Sequence, residues 1–219
     1  MTRKRLRAFI FGPQGAGKST QGQLLSDWFG VPFLSAGDLF RMEIEEKTSL
    51  GKLVKQYVDA GLLAPDELSN AIVLKRLKEL NTERGFVLDG FPRNVDQAES
   101  LDRLLKITIA IQIKLSDKEA VRRLAGRRQC PKCRSIFHVE DVPPATPNQC
   151  SMCGHALVKR DDDNEETIKQ RLEAYHFMTE PLASYYRQHG VLLTVNGEQA
   201  ISLVFEDMKK RMAKLGFIA

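Results

Sequence analysis

Residues 12–19, GPQGAGKS, have the types and spacing that phosphate binding requires, because they fit the pattern G-x-x-x-x-G-K-[ST] in full. The glycines let such a loop turn its backbone N–H groups toward phosphate without obstruction from a Cβ. The amino group of Lys18 would reach the β- and γ-phosphates, and the start of the following helix adds partial positive charge. The loop therefore predicts a nucleoside triphosphate site, with a glycine turn that binds nothing as the alternative.

All four cysteines form a second group. Cys130 and Cys133 make one C-x₂-C pair, Cys150 and Cys153 make another, and 16 residues separate the pairs. This spacing is typical of a structural zinc site with four thiolate ligands, although iron or cobalt could also occupy it. Disulfides are an alternative, disfavoured in a reducing compartment. His138 lies between the pairs, but with four cysteines available we do not expect it to be a ligand.

Five arginines form a third group, since they follow glycine turns, border the cysteine-rich segment or begin a helix: Arg93, Arg127, Arg128, Arg160 and Arg171. Individually each could be a surface charge. Phosphoryl transfer, however, offers a protein little covalent work, so its catalysts position phosphates and neutralise their charge. As a set, the arginines indicate a site that holds several phosphates and needs no obvious general base.

Alternating strands and helices must position these groups. Apolar runs predict five strands, at 6–11, 32–35, 85–90, 107–115 and 191–195. Helices are predicted from Lys18 to about Gly30, over 37–47, over 50–60, from Pro65 as first residue, and over 164–177. The alternation predicts an α/β fold with a five-stranded parallel sheet and helices on both faces. Ligands of such folds lie beyond the carboxyl ends of the strands, where the phosphate loop falls. Residues 130–160 break the pattern and predict an inserted module.

Composition excludes several classes of protein. With 42% hydrophobic and 28% charged residues, the 219-residue chain is expected to be soluble and globular, with one or two domains. No apolar run approaches the roughly 20 residues of a membrane span, and the apolar stretch near the N-terminus is too short for a secretory signal. We therefore expect a cytoplasmic protein. The net charge of +5 fits small phosphorylated ligands or an ordinary basic surface.

Four further stretches occur in a specific order after the phosphate loop: LSAGDLFR (34–41), LDGFPRNVDQAE (88–99), RRLAGRR (122–128) and KRDDDNEET (159–167). Over almost the whole chain, the sequence thereby resembles the adenylate kinase family, in the long form whose lid carries a zinc-binding insertion. The resemblance implies a P-loop NTPase fold with a core (1–34, 65–126 and 165–219), a helical segment that binds the nucleoside monophosphate (35–64) and a zinc-binding lid (127–164).

The activity that the resemblance implies is reversible, Mg²⁺-dependent phosphoryl transfer from ATP to AMP, giving two ADP and serving adenine nucleotide homeostasis. These nucleotides would be the partners, with no nucleic acid and no membrane, and the family is usually monomeric. The lid must close before the chemistry to keep water from accepting the phosphoryl group. Asp162 and Asp163 are expected to form hinge or closed-lid contacts, and Asp163 with Glu166 also fits a capping box for helix 164–177.

The resemblance also implies a role for each matching residue. ATP would be held by Gly15, Ala16, Gly17, Lys18, Ser19, Thr20, Arg123 and Arg127, with Ile136 and Phe137 against its adenine and Gln199 touching it through the backbone. AMP would be held by Ala36, Arg41, Leu62, Leu63, Ala64, Gly90, Phe91, Pro92, Arg93, Gln97, Arg160 and Arg171, with Gln97 reading the adenine. The catalytic set would be Lys18, Arg93, Arg127, Arg160 and Arg171; Ser19 and Asp89 would hold Mg²⁺ through water, and the four cysteines would hold Zn²⁺.

Two positions depart from the family pattern and leave rival functions open. Ser19 replaces the usual glycine after the lysine, and a serine there could contact Mg²⁺. Ala36 stands where bacterial members commonly have threonine and the pyrimidine enzymes have alanine, so a UMP/CMP kinase is the near rival. Gln97 and the long zinc lid favour AMP, because a hydrogen-bonding site rejects the wrong base strongly. A zinc-ribbon nucleic-acid-binding ATPase would need stacking aromatic residues, of which the module has one, Phe137.

Overall fold

The computed structural model describes residues 4–60, 62–80, 82–160 and 163–218. Their strands are β1 (Leu6–Phe11), β2 (Phe33–Ser35), β3 (Gly85–Asp89), β4 (Ile109–Lys114), β5 (Arg127–Gln129), β6 (Ile136–His138) and β7 (Leu192–Asn196). Five of these form one parallel sheet in the order β2-β3-β1-β4-β7, with Phe9 opposite Leu88 on one side and Ala110 on the other. The predicted parallel sheet of five strands is confirmed, and each predicted strand lies within two residues of its observed bounds.

The α-helices in the described ranges are α1 (Lys18–Phe29), α2 (Ala36–Glu45), α3 (Ser49–Asp59), α4 (Asp66–Glu79), α5 (Val95–Leu104), α6 (Asp117–Gly126), α7 (Glu165–Ala174), α8 (Leu182–Gln188) and α9 (Ile201–Lys214). Two predicted boundaries need correction. Pro65 precedes the first turn of α4 rather than forming it, because its ψ of 149° is extended. The helix predicted over 164–177 ends as an α-helix at Ala174 and continues as a π-helical turn, Tyr175–Thr179.

Helices cover both faces of the sheet because its central strands are apolar on both sides. In β1, Phe9 and Phe11 pack into one buried cluster with residues of α2, α4, α5 and α8, while Ala8 and Ile10 pack into another with residues of α1 and α9. A parallel strand that is buried on both faces is expected to be largely apolar, and β1 and β4 are so apart from Arg7, Gln112 and Lys114. This packing fixes the carboxyl ends of β1, β3 and β4 side by side. No helix in the described ranges has the length and apolar character needed to cross a membrane.

Between α6 and α7 lies a small unit that we call the insertion, described at 127–160 and 163–164. Its strands β5 and β6 pair in antiparallel fashion, and the buried residues of its own cluster are Cys130, Phe137, Cys150 and Leu157. With only one phenylalanine and one leucine among them, this cluster is small. The insertion therefore depends on its cysteines for much of its interior. The division of the chain into a core (1–34, 65–126, 165–219), a helical segment (35–64) and a lid (127–164) remains a prediction.

Candidate active site

The phosphate loop joins the carboxyl end of β1 to the start of α1. Gly12 adopts a φ of 155°, and a Cβ added there would lie 2.3 Å from the carbonyl oxygen of Ile113 in the neighbouring strand. Only glycine fits at such a close approach. Gly17 is the N-cap residue of α1, and no side chain caps this helix. The N–H groups of its first turn are therefore free of a side-chain cap, as an anion-binding helix end requires.

Lys18, the lysine of the loop, is buried close to Asp89, Arg93 and Arg127. Its ammonium group donates a hydrogen bond to the carbonyl oxygen of Pro13 at 2.8 Å. Burial is the main reason that the pKa of Lys18 is lowered to about 8; the charge of Asp89 opposes this change, and the positive charges of Arg93 and Arg127 add to it. An excess of positive charge at a glycine loop is what a polyphosphate group would neutralise.

Asp89 ends β3 beside this loop and is 5% exposed. Its Oδ2 accepts a hydrogen bond from the hydroxyl of Ser19 at 2.5 Å, whereas its Oδ1 is buried and has no hydrogen-bond partner among the described residues. Burial raises the pKa of Asp89, although Lys18 and the Ser19 hydroxyl act in the opposite direction. A carboxylate and a hydroxyl in contact at a phosphate loop are oxygen donors of the kind that Mg²⁺ prefers, so these two residues fit the predicted magnesium site.

Arg93 brings a second charge to the same place. Its Nε donates to the carbonyl oxygen of Gly90 at 2.9 Å, and the carbonyl oxygen of Arg93 accepts a hydrogen bond from the hydroxyl of Thr179 at 2.8 Å. Burial lowers the pKa of Arg93, with Asp89 opposing this change and the positive charge of Arg171 adding to it. Arg171, on α7, therefore lies close enough for its charge to act on Arg93. The structure thus brings four members of the predicted catalytic set together: Lys18, Arg93, Arg127 and Arg171.

Arg127 and Asp163 form an ion pair at the base of the insertion. The Nε of Arg127 lies 2.8 Å from Asp163 Oδ2, and its Nη2 lies 2.5 Å from Oδ1; the aspartate side chain is fully buried. Asp163 therefore contacts Arg127 at the base of the insertion, and its expected hinge or closed-lid role remains a prediction. The predicted capping box is wrong, because Asn164 caps α7 by accepting a hydrogen bond from the N–H of Thr167 at 2.9 Å. Asp162 lies outside the described residues. Arg160 lies nearby, since its carbonyl oxygen accepts from the N–H of Asp163 at 3.1 Å.

The residues predicted to hold the acceptor nucleotide surround α2, α4 and the start of α5. Gln97, which is 3% exposed, accepts a hydrogen bond from the N–H of Arg93 at 2.7 Å and donates one to Asp66 at 2.7 Å. Asn94 donates to both oxygens of Asp66 at 3.0 Å. These contacts orient the Gln97 amide unambiguously, with its oxygen toward Arg93 and its nitrogen toward Asp66. The sequence did not single out Asp66, because its partners Asn94 and Gln97 lie 28 and 31 residues away.

Other residues of the predicted acceptor set lie in neighbouring elements. Arg41, on α2, donates to Asp38 at 2.6 Å, and Ala36 is the buried first residue of the same helix. The remaining members occupy the link from α3 to α4 (Leu62, Leu63, Ala64) and the loop after β3 (Gly90, Phe91, Pro92). Leu62 is largely exposed, whereas Ala64 and Phe91 are buried. Their contact with a nucleotide remains a prediction.

The residues predicted to contact ATP from the insertion and the last strand have different exposures. Ile136 exposes 44% of its surface, whereas Phe137 is 8% exposed and packs within the insertion's own cluster. This burial disfavours the expected contact between the Phe137 side chain and adenine and leaves Ile136 as the exposed member of the pair. Arg123 donates to Glu119 at 2.7 Å, and Gln199 donates to the carbonyl oxygen of Asn196 at 3.3 Å. Gly15, Ala16, Ser19 and Thr20 lie in the phosphate loop or the first turn of α1.

The four cysteines meet in one cluster that could hold a metal ion. Their sulfur atoms all lie within 4.8 Å of one another, and three Sγ–Sγ distances are 3.4, 3.4 and 3.5 Å. A disulfide needs about 2.0 Å, whereas a tetrahedron with metal–sulfur bonds of about 2.3 Å has edges of about 3.8 Å. The cysteines are free thiols, so the arrangement fits a four-coordinate metal ion.

Ionisation of these sulfur atoms is uneven. Hydrogen bonds with Ser135 lower the pKa of the Cys133 thiol to about 6. For Cys153, a hydrogen bond with the backbone of His155 lowers the pKa, but desolvation and contact with the other sulfur atoms outweigh it and raise the pKa to about 12. Four thiolates at this spacing would repel one another, and a bound cation would offset that repulsion.

His138 belongs to a separate group with Glu140 and Asp141. Its Nδ1 accepts hydrogen bonds from the N–H groups of those two residues at 3.2 and 3.0 Å. Arg122 pairs with both carboxylates at 3.1 and 2.6 Å. The Nδ1 lone pair of His138 and the charges of the two carboxylates are therefore already engaged in these contacts, so they are not available to a cation.

Comparison with known proteins agrees with this geometry. A family model described as "Adenylate kinase" matches residues 10–191. Among curated proteins, the chain is 42% identical to the adenylate kinase of Caldanaerobacter subterraneus subsp. tengcongensis over 94% of this chain and 96% of the relative. It is 42% identical to that of Thermoanaerobacter sp. strain X514 and 44% identical to that of Clostridium acetobutylicum, in each case over 96% of this chain and the whole relative.

Proposed function

The chain belongs to the adenylate kinase family of nucleoside monophosphate kinases, and on that premise we propose that it catalyses reversible, Mg²⁺-dependent transfer of a phosphoryl group from ATP to AMP, giving two ADP. Such a reaction would balance the three adenine nucleotides. The observation that supports this most directly is the meeting of Lys18, Asp89, Arg93 and Arg127 beyond the ends of β1 and β3. Their net positive charge suits a chain of phosphates and leaves no role for a general base.

Each charged residue has one task in this proposal. The phosphate loop and Lys18 bind the β- and γ-phosphates of ATP, and Arg93 and Arg171 hold the phosphates on the acceptor side. Because the acceptor is a phosphate oxygen that is already ionised near neutral pH, the protein removes no proton from it. The positions of the cations therefore determine whether donor and acceptor phosphates lie in line.

Asp89 and Ser19 would hold Mg²⁺, through water where the distance requires it. When bound, this ion would neutralise charge on the transferred phosphate and its leaving group. Ser19, where the family usually has glycine, adds a hydroxyl that already contacts Asp89 at 2.5 Å. The chain's own contribution here is to place a buried carboxylate beside the loop: burial raises the pKa of Asp89, and the charge of Lys18 opposes that rise.

The metal ion of the insertion is proposed to be structural Zn²⁺, since four sulfur ligands close its coordination sphere and leave no position for a substrate. The insertion would then act as a lid, whose base is joined to the core by the pair of Arg127 and Asp163. We further propose a cytoplasmic, monomeric enzyme whose partners are ATP, ADP and AMP rather than nucleic acid or membrane.

A coupled assay with ATP and Mg²⁺ that offers AMP, CMP, UMP and GMP in parallel tests this function. We expect a strong preference for AMP, because Gln97 presents a fixed amide at the acceptor side. Preference for CMP or UMP would show that Ala36 decides the base and that the chain is a pyrimidine kinase. ATP hydrolysis that proceeds equally well without any monophosphate would instead support a zinc-ribbon ATPase.

A further inference from the structure

The two C-x₂-C turns of the insertion share one backbone design but differ at the residue that follows each pair. Arg134 donates its N–H to the carbonyl oxygen of Cys130 at 3.0 Å, and Gly154 donates its N–H to that of Cys150 at 2.8 Å. Both residues have left-handed backbone, with φ of 60° at Arg134 and 73° at Gly154. The first turn therefore has an arginine at the position where the second has glycine.

An arginine at this position is disfavoured by its own backbone. The left-handed region brings Cβ close to the following carbonyl oxygen, and glycine adopts it without that conflict. A non-glycine residue persists there only when its surroundings determine the conformation, and such residues are concentrated at functional sites. The side chain of Arg134 is therefore expected to make a contact that offsets the backbone cost.

Arg134 makes that contact with helix α2, far away in the sequence. Its Nη2 lies 2.7 and 2.9 Å from the two carboxylate oxygens of Glu45, and its Nη1 lies 3.5 Å from an oxygen of Asp38. Glu45 is the last residue of α2, where the helix dipole disfavours negative charge and a guanidinium relieves it. One nitrogen of the guanidinium faces both oxygens of Glu45 and another faces Asp38, so Arg134 spans two carboxylates of α2 and links the insertion to that helix.

The same link reaches a residue assigned to the acceptor nucleotide. The Asp38 oxygen that faces Arg134 also accepts the hydrogen bond of Arg41 at 2.6 Å, and Arg41 is expected to bind the phosphate of AMP. Asp38 therefore lies between an arginine of the insertion and an arginine of the acceptor site. When the insertion lies over α2, Arg134 and Arg41 are fixed relative to each other.

We propose that Arg134 is a positioning residue that couples closure of the insertion to binding of AMP, through Glu45 and Asp38. The proposal rests on the proposed function. The link forms only when the insertion meets α2, so it favours the arrangement in which both nucleotides are shielded from water. By linkage, the factor by which closure strengthens AMP binding equals the factor by which bound AMP favours closure of the insertion.

The variants R134G and E45Q remove the link from opposite sides. R134G gives the first turn the residue of the second and relieves the left-handed strain, so its thermal unfolding midpoint should equal or exceed that of the parent. The side chains of Arg134 and Glu45 are partly exposed, and such a pair contributes only modestly. We therefore expect each single variant to lose about two- to fivefold in kcat/KM for AMP. The double variant should lose no more than the larger single variant, because both changes remove the same contact.

Two matched controls each remove one charge of the same sign as the tested residue, from a position close to it. E46Q acts on the glutamate next to Glu45, and K132A acts on an exposed lysine in the same turn as Arg134; both should retain the parent's kcat/KM for AMP. R134K keeps the positive charge but lacks the planar guanidinium, so it should recover part of the kcat/KM that R134G loses. The parent's kcat/KM should also fall more steeply with added NaCl than that of R134G.

The outcomes separate this proposal from the proposed function. A parent that phosphorylates no monophosphate overturns the proposed function itself. A parent that is active on AMP, together with a parent-like R134G or with losses that multiply in the double variant, overturns only the role of Arg134. A R134G variant that loses activity only in proportion to a lowered unfolding midpoint overturns it as well, because that result assigns Arg134 to folding.

Discussion

Replacing Asp163 with asparagine tests whether the pair with Arg127 holds the base of the insertion. The aspartate side chain is fully buried and that of Arg127 is 16% exposed, so the change removes the negative member of a largely desolvated pair. Asparagine has nearly the same shape, and one of its two oxygen positions becomes an NH₂ group that faces a guanidinium donor. The variant D163N therefore changes charge and hydrogen bonding with little change in volume.

The size of the effect follows from this burial. Removal of one partner of a buried ion pair costs about 3–5 kcal/mol. Because Arg127 keeps some contact with water and asparagine keeps one acceptor oxygen, we expect the lower end, about 3 kcal/mol. For a chain of this size, 1 kcal/mol shifts the unfolding midpoint by about 2–4 °C. D163N should therefore unfold about 6–12 °C below the parent.

The control is D59N, which removes the same charge from the exposed pair of Lys55 and Asp59, whose side chains are 56% and 58% exposed. A surface pair contributes at most about 1 kcal/mol, so this midpoint should move by less than about 4 °C. Calorimetry with and without MgATP measures both variants. ATP should raise the midpoint of D163N more than that of the parent, because its phosphates replace the lost anion beside Arg127. A D163N midpoint no lower than that of D59N would refute the reasoning.

Three further predictions concern the ATP side, the acceptor base and the metal ion. Because the pKa of Lys18 is lowered to about 8, Lys18 is largely neutral near pH 9 in the ATP-free protein. Bound phosphate favours the ammonium form, so ATP binding at that pH should take up most of one proton, which titration calorimetry in two buffers measures. Equal proton uptake by K18M would contradict this assignment. The variant D66A removes the acceptor of the Gln97 amide, so the preference for AMP over CMP in kcat/KM should fall by about tenfold, and an unchanged ratio would show that Asp66 does not act through Gln97. Joint replacement of Cys150 and Cys153 with serine should lower the unfolding midpoint more than it lowers specific activity in the cold, and a parent-like midpoint would argue against a structural metal ion.

The parts of the fold that the sequence predicted well depend on neighbouring residues. Strand β1 and the phosphate loop follow from an apolar run that leads directly into a glycine pattern, and the cysteine cluster follows from two short spacings. Each of these signals lies within a few residues of the structure that it specifies. Pro65 was misplaced by one position because proline fits both the first turn of a helix and the residue before it.

What the sequence could not show depends on partners far along the chain. Asp163 and Asn164 are both good helix caps, and the choice between them follows from Arg127, which lies 36 residues earlier and draws Asp163 into a buried pair. The residues around Arg134 do not identify its partner, because Glu45 lies 89 residues away. A pattern within one segment carries no information about which distant side chain will face it.

The position of the Arg127–Asp163 pair has a consequence for how such enzymes diversify. The pair holds the two ends of the insertion at one place, so the sheet and its helices contact a fixed junction whatever lies beyond it. The free energy of closing a longer segment grows only slowly with its length. Insertions of other lengths, with or without a metal ion, could therefore be grafted onto this junction while the phosphate loop stays unchanged. The insertion can evolve, and be engineered, as an exchangeable part.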